Sequence, residues 1–162
     1  MNDSTLCYIE REHQYLMLHR TKKAHDANHD KWIGIGGHIE PGETPMEGIL
    51  REAKEETGLT LLDCRKRGVV HFIDDLNPCE DMHLFTATRF EGEMIPCDEG
   101  DLEWIDMDAL YDLTLWEGDR IFLRLLREGA EGFELTLVYH NGEKLIRAEL
   151  DGRALDISKE AD

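Results

Sequence analysis

Short apolar runs separated by polar turns recur along the chain and predict β-strands. Leu6–Ile9 and Tyr15–Leu18 flank a polar turn, which is typical of a β-hairpin. Near the other end, Asn141 and Gly142 form a dipeptide that favours a tight hairpin turn. Similar runs predict extended chain at Trp32–Ile39, Val69–Ile73, His83–Phe90, Leu102–Ile105, Phe133–Tyr139 and Leu145–Leu150.

The segment that follows these early strands carries clear helix-boundary signals. Thr44 precedes Pro45, and Glu47 lies three residues after the threonine, as in an N-cap with a proline at the first helical position and a capping box. Gly58 is a typical C-terminal stop. The pattern therefore predicts a helix over Pro45–Thr57.

A second amphipathic pattern predicts a helix over Trp116–Arg127, with Ile121 and Leu125 facing the core. Asp106–Tyr111 predicts a single helical turn. Strands interspersed with two main helices predict an α+β fold with a mixed β-sheet. The chain shows no internal repeat or linker, so we expect a single domain over residues 1–162.

Acidic residues outnumber basic ones, 36 to 18, and give a net charge of −18. A field of this sign repels polyanions, so we expect no nucleic acid polymer as a partner. A small anionic substrate then needs local neutralisation, which carboxylates holding divalent cations supply. A solvated acidic surface accounts for most of the excess.

The four cysteines form no CxxC pair, and the first residues lack the basic and apolar regions of a signal peptide. No stretch approaches the length of a membrane span. These features predict a cytoplasmic protein with free thiols and no membrane partner.

Three glutamates share one face of the first predicted helix. Glu52 is three positions from Glu55 and four from Glu56. Like charges at this spacing destabilise a helix by about 0.2–0.5 kcal/mol per pair, and divalent cations that prefer oxygen ligands relieve the repulsion. A solvated acidic face is the common alternative. The preceding glycine-rich segment favours a phosphate and metal site.

The residues Gly37–Leu59 follow the pattern G-x5-E-x7-R-E-A-x-E-E-x-G-L. This pattern resembles the complete box of the Nudix hydrolase family, with every defined position filled. The resemblance extends more loosely over nearly the whole chain. It implies the Nudix fold, an α/β/α sandwich around a mixed β-sheet, and a pyrophosphohydrolase that depends on Mg²⁺, with Mn²⁺ as an alternative.

The resemblance also implies which residues hold the metal. Glu52, Glu55 and Glu56 would bind it together with the carbonyl oxygen of Gly37. Glu99, which follows the box in an acidic turn, resembles an additional metal-side or base-contacting carboxylate of MutT-like members. The alternative for Glu99 is a plain surface acid.

Two more box positions complete the implied catalytic set. Arg51 would pair with Glu43 and hold the loop against the helix. The general base varies within the family, and the box glutamates are the candidates here. We favour Glu52 over Glu55 and Glu56.

Two segments outside the acidic positions bear on the substrate. Lys31–Gly37 and Leu115–Arg120 resemble the MutT-type oxidised-purine triphosphatases, in which a tryptophan stacks on the purine and a nearby acid contacts its edge. Trp116 and Asp119 match those places, with a packed core aromatic as the alternative for Trp116. Ile33 stands where the mammalian group has an asparagine, so base reading must differ or specificity must be relaxed.

The resemblance thus implies 8-oxo-dGTP as the leading substrate, cleaved to the monophosphate and pyrophosphate in nucleotide-pool sanitation, which is a form of DNA repair. Arg20 resembles a basic residue that contacts phosphate, with a strand-end surface charge as the alternative. Gly36, Gly37 and His38 would lie beside the nucleotide, and relatives often have lysine in place of His38.

The polar segment Thr21–Lys31 predicts a loop that caps the nucleotide. His25 and His29 within it are four positions apart. A third ligand is not evident and helical order is not indicated, so a zinc site is the less favoured interpretation.

Other functions remain open at this point. One is a Nudix hydrolase for a dinucleotide polyphosphate, a nucleotide sugar or a canonical nucleoside triphosphate. Another is a non-catalytic Nudix-fold sensor of nucleotides, against which the intact Glu52, Glu55 and Glu56 argue. In each case the partner is a small nucleotide, and the protein is a monomer or a homodimer.

Overall fold

A computed structural model describes residues 2–22 and 28–159. Strands predominate, and two α-helices and two short 3-10 helices accompany them. In chain order the strands and α-helices are β1 (Asn2–Arg11), β2 (Gln14–His19), β3 (Trp32–Ile33), β4 (Ile35–His38), α1 (Pro45–Thr57), β5 (Thr60–Leu61), β6 (Arg65–Asp74), β7 (Glu80–Ala87), β8 (Phe90–Glu91), β9 (Asp101–Asp106), α2 (Glu117–Arg127), β10 (Phe133–His140), β11 (Lys144–Leu150) and β12 (Arg153–Ala154). The 3-10 helices are Met107–Asp112 and Ile157–Lys159.

Most strands belong to one mixed sheet with the order β12-β11-β10-β6-β7-β1-β2-β3. The pairs β1–β7 and β6–β10 are parallel, and the others are antiparallel. One edge of β1 changes partner along its length, since β4 pairs with its first half and β2 with its end. β1 thus holds the glycine-rich β4 against the central strands of the sheet.

Both faces of the central strands are buried, each beneath one helix. On β1, Cys7 belongs to the same buried cluster as Ile49 of α1. Leu6 and Tyr8 belong instead to a cluster with Phe122 of α2. Successive residues of a strand point to opposite faces, so apolar residues at consecutive positions require cover on both sides. The predicted α/β/α sandwich around a mixed sheet is confirmed.

Helix α1 has the predicted bounds because its ends are satisfied locally. The Thr44 hydroxyl accepts a hydrogen bond from the Glu47 amide at 3.1 Å, and the Glu47 carboxylate accepts one from the Thr44 amide at 2.9 Å. Gly58 ends the helix in the left-handed conformation, with φ 82°, and its amide donates to the Lys54 carbonyl. This cap fixes where the box glutamates emerge.

Helix α2 starts one residue later than predicted, since Trp116 is its N-cap. The predicted inward residues Ile121 and Leu125 are buried, and so are Leu123 and Leu126, which widens the apolar face. Neither α-helix of the described residues combines the length and apolar character needed to cross a membrane.

The strand predicted at His83–Phe90 was wrong at both ends. β7 begins at Glu80 and ends at Ala87, and Phe90 belongs to β8, which pairs with β5. Asp63 ends β7, because its carboxylate accepts hydrogen bonds from the backbone amides of Thr88 and Arg89 at 2.9 and 2.8 Å. A contact between residues so far apart leaves no periodic signal in the sequence.

The loop predicted at Thr21–Lys31 is described only in part. Residues 28–30 form a turn. Residues 23–27, which include His25, lie outside the described residues. The hypothesis that this segment caps a nucleotide therefore stays a prediction.

Candidate active site

At Gly36 and Gly37, strand β4 lies so close to its neighbours that there is no room for a side chain. A Cβ atom at Gly36 would lie 1.9 Å from the carbonyl oxygen of Thr5 in β1. One at Gly37 would lie 2.8 Å from the carboxyl carbon of Glu52 in α1. Glycine is needed here for close approach of backbone to backbone and of backbone to carboxylate.

The box glutamates occupy three different environments. Glu52 is partly buried against Gly37. Glu56 is buried and accepts a hydrogen bond from the Gly36 amide at 2.9 Å. The side chain of Glu55 is 58% exposed and accepts from Arg51 at 3.1 Å. Helical spacing places the three glutamates on one side of α1, and packing against β4 gives them different burial and different hydrogen-bond partners.

Arg51 ties the loop before α1 to the helix. Its guanidinium donates to both carboxylate oxygens of Glu43, at 2.6 and 3.0 Å, and to Glu52 at 2.8 Å. It also reaches the carbonyl oxygen of His38 at 3.2 Å. The bond from Arg51 holds the pKa of Glu43 below its ordinary value, and the bond to Glu43 raises the pKa of Arg51.

A second acidic group converges on Glu56. Ligand atoms of Glu56, Cys97 and Glu99 lie within 4.8 Å of one another. Burial, followed by the hydrogen bond with Glu99 and the charges of Glu52 and Glu99, raises the pKa of Glu56 to about 9. Burial is also the largest cause of the raised pKa of Glu52. Crowded carboxylates that hold a proton at neutral pH suit a divalent cation with oxygen ligands.

A cleft of about 810 Å³ runs from these carboxylates across the sheet towards α2. Its acidic end is lined by Glu52, Glu99, Gly36 and Gly37, and Arg20 lies beside Glu99 at 3.1 Å. A volume of this size falls in the range of small-molecule sites. The cleft is therefore large enough for a nucleotide.

The far end of the cleft is walled by aromatic rings. Tyr139 lies 6.0 Å from Trp116, edge to face, and 6.4 Å from Phe72, measured between ring centroids. The indole Nε1 of Trp116 donates to the Asn28 side chain at 2.7 Å, and the Lys31 ammonium lies 4.8 Å from the Trp116 ring. These contacts fix Trp116 in the wall of the cleft.

Asp119 is a buried acid at this aromatic end. It lies in the first turn of α2, is 5% exposed and contributes to the cleft lining. Burial raises its pKa to about 8, and the nearby charge of Lys31 opposes that rise. At neutral pH its carboxyl group is therefore protonated and able to donate a hydrogen bond.

Replacing Asp119 with asparagine should change how stability depends on pH. The unfolded carboxyl ionises near pH 4, whereas the folded one stays protonated to about pH 8, so the unfolding free energy of the native protein falls across this window. Asparagine does not titrate. The variant should therefore gain roughly 1.4 kcal/mol per pH unit relative to the native protein between these values. Urea unfolding at pH 5, 6.5 and 8 measures the difference.

The exposed Asp112 provides a control for this experiment. An Asp112→Asn variant makes the same replacement at the surface and should change the unfolding free energy by less than about 0.5 kcal/mol. If the Asp119→Asn variant differed from the native protein by the same amount at every pH, Asp119 would not be a neutral acid in the folded protein.

The cleft brings together most residues that the sequence analysis selected. Those that line it are Arg20, Gly36, Gly37, His38, Glu52, Glu99, Trp116 and Asp119. Glu56 lies behind this lining, while Glu43 and Glu55 lie outside it around Arg51. The sequence analysis missed Ser4, Asn28, Phe72, Glu80 and Tyr139, which also line the cleft. They sit in ordinary strand and loop patterns, and only the sheet register brings them together.

A family model described as the NUDIX domain matches residues 2–126 of the chain. The chain belongs to the Nudix family. It is a MutT-like Nudix hydrolase, as the similarities to individual proteins show. The crystal structure of a MutT protein from Bacillus halodurans has a TM-score of 0.83 and 28% identity, covering 93% of this chain and 98% of that one.

Curated sequences show the same relationship. The uncharacterized Nudix hydrolase YvcI of Bacillus subtilis is 26% identical over 152 residues, which is 91% of this Nudix hydrolase and 92% of YvcI. The oxidized purine nucleoside triphosphate hydrolase of Mus musculus is 31% identical over 114 residues, covering 70% of this chain and 72% of the mouse protein.

Proposed function

We propose that this Nudix hydrolase cleaves a nucleoside triphosphate, with 8-oxo-dGTP as the leading substrate, to the monophosphate and pyrophosphate. The observation that carries the proposal is that one cleft has crowded carboxylates at one end and an aromatic wall with a neutral acid at the other. A triphosphate and a purine need these opposite environments. In this role the enzyme would sanitise the cytoplasmic nucleotide pool.

The acidic end fits Mg²⁺, because it offers hard oxygen donors and a buried carboxyl that holds a proton in their midst. Glu52, Glu56 and Glu99 would hold the ion, with the carbonyl oxygen of Gly37. Glu55 would become a further ligand after its hydrogen bond with Arg51 breaks. When bound, Mg²⁺ would neutralise phosphate charge and lower the pKa of a coordinated water.

The residues around this end would position and activate the reactants. Glu52, whose pKa is raised by burial, would take the proton of the attacking water. Arg51 and Glu43 would keep the loop against α1. Arg20 would contact phosphate, and this contact would replace its ion pair with Glu99.

The aromatic end would hold the base. Trp116 would stack on it, which contributes about 1–3 kcal/mol per base. Asp119 would donate a hydrogen bond to its edge. Gly36, Gly37 and His38 would contact the remainder of the nucleotide. Support comes from the mouse relative, whose name specifies oxidised purine nucleoside triphosphates. An 8-oxo-(d)GTP phosphatase of Mycolicibacterium smegmatis is 29% identical over 129 residues, which are 79% of this chain and 40% of that protein.

Canonical nucleoside triphosphates are the second candidate substrates. Ile33 lines the cleft, and its side chain can neither donate nor accept a hydrogen bond. A base pocket with one polar contact fewer discriminates less sharply between related bases.

Hydrolysis of 8-oxo-dGTP, dGTP and ADP-ribose in the presence of Mg²⁺ tests the proposal, with pyrophosphate release followed over time. We expect the highest kcat/KM for 8-oxo-dGTP, and loss of all activity when EDTA removes the metal, with recovery on readdition. A higher kcat/KM for dGTP would select the second candidate. Cleavage of ADP-ribose alone would refute both.

A further inference from the structure

The aromatic end of the cleft contains a hydrogen-bonded polar pair. The Ser4 hydroxyl donates to Oε2 of Glu80 at 2.8 Å, across 76 positions of sequence. Ser4 is 6% exposed, and both residues line the cleft. In the sheet register Ser4 is the partner of Met82, and Glu80 lies opposite Phe72. Partners in register share a face, so the pair belongs to the same wall as the aromatic rings.

Glu80 has no counter-charge among residues 2–22 and 28–159. Within those residues, Ser4 provides the one hydrogen bond to its side chain, and no basic group forms an ion pair with it. Phe72, Met82 and Tyr139 line the cleft from the same face of the sheet as Glu80. A carboxylate placed among apolar groups lowers the stability of the fold, so packing alone does not account for an acid at this position. A ligand that brings hydrogen-bond donors would give this carboxylate partners in addition to Ser4.

Asp119 offers the complementary chemistry at the other side of the wall. Its protonated carboxyl donates a hydrogen bond, because burial raises its pKa to about 8. Three rings lie in a row between Asp119 and Glu80. The ring centroid of Tyr139 is 6.0 Å from that of Trp116 and 6.4 Å from that of Phe72, which lies opposite Glu80 in the sheet. The wall therefore carries a hydrogen-bond donor on the side of Trp116 and an acceptor on the side of Phe72.

We propose that Ser4 and Glu80 form a base-recognition subsite that selects guanine-type purines over adenine-type purines. This inference rests on the proposed function, since it assumes that the base occupies the aromatic end. The pairing edge of guanine carries a ring N–H and an amino group as donors, beside a carbonyl acceptor. A carboxylate accepts from both donors, whereas it repels the lone pair on the unprotonated ring nitrogen of adenine. A site built for such a bond discriminates strongly against a ligand that lacks it.

The test compares kcat/KM for dGTP and dATP in Glu80→Met, which keeps an unbranched side chain but removes the carboxylate. We expect the value for dGTP to fall about 10- to 100-fold, as for loss of a charged hydrogen bond, and the value for dATP to change less than about 3-fold. Glu80→Gln should shift the ratio in the same direction by a smaller factor, and covers the case in which the methionine variant does not fold.

Asp81→Asn is the matched control. Asp81 is the next residue of β7, on the opposite face, where it bonds His71 at 2.7 Å. This variant should leave the dGTP to dATP ratio unchanged. Equal losses for both nucleotides in the Glu80 variants, or an unchanged ratio, would overturn the subsite.

Binding of dGMP and dAMP by calorimetry without metal separates this inference from the proposed function. We expect the native protein to prefer dGMP and Glu80→Met to lose the preference. If the native protein prefers dGMP but hydrolyses no triphosphate, the subsite stands and the proposed hydrolysis fails. If it hydrolyses both triphosphates without preference, the subsite fails and the hydrolysis stands.

Discussion

Replacing Glu52 with glutamine should lower kcat about 10³-fold, because the variant would lose both the proposed general base and a proposed carboxylate ligand. Glu52 lies against Gly37 at the acidic end of the cleft, where the metal and the attacking water would be held. Folding should remain intact. Burial disfavours the charged form of Glu52 and raises its pKa, so a neutral amide of the same shape fits the site without loss of stability. Steady-state kinetics and thermal unfolding measure the two effects.

Glu47→Gln is the control for this variant. Glu47 lies on the same helix and forms the capping box with Thr44, a role that glutamine also fulfils. Its activity should match that of the native enzyme. If Glu52→Gln retained activity within about 10-fold of the native value, Glu52 would not be the base, since a lost general base typically costs 10²- to 10⁴-fold.

The variant Gly36→Ala should lose about 3–5 kcal/mol of unfolding free energy, near the upper limit for single substitutions. Its Cβ would lie 1.9 Å from the carbonyl oxygen and 2.7 Å from the carbonyl carbon of Thr5, and backbone atoms cannot rotate away as a side chain can. β4 would have to separate from β1, and the bond from the Gly36 amide to Glu56 would be lost. Urea unfolding measures the stability, and the same samples should show loss of hydrolysis.

Gly48→Ala is the matched control for the added methyl group. Gly48 lies inside α1, where alanine favours the helix by up to about 1 kcal/mol. Its Cβ would meet the Glu43 carboxylate at 3.3 Å, a tight contact that offsets part of this gain. The change should stay within about 1 kcal/mol. If the Gly36→Ala variant were as stable as the native protein, β4 would not lie in close backbone contact with β1.

The box glutamates have unequal surroundings, which fit the different tasks proposed for them. Glu56 accepts a hydrogen bond from the Gly36 amide and is buried beside Glu99, which would place it deepest in the proposed metal site. Glu55 remains exposed on Arg51. Glu52, between these extremes, faces the cleft. The proposal that Glu52 is the base therefore draws on packing as well as on the family resemblance, which favoured Glu52 only slightly over Glu55 and Glu56.

The sequence by itself determined the features that depend on neighbouring residues. The bounds of α1 followed from Thr44, Glu47 and Gly58, because capping bonds span only a few positions. The hairpin at Asn141 followed from local turn preferences. The spacing of the box likewise identified the family, and two buried faces on β1 agreed with the sandwich that it implies.

Only the tertiary structure decided which distant residues share a site. The register of β6, β7 and β1 places Phe72, Glu80 and Ser4 in one wall, and the packing of α2 buries Asp119 beside Tyr139. Asp63 ends β7 through bonds to residues 25 and 26 positions away. Such contacts join segments that share no periodic pattern in the sequence. The pKa values of groups such as Asp119 depend on burial, which is known only once the chain is folded.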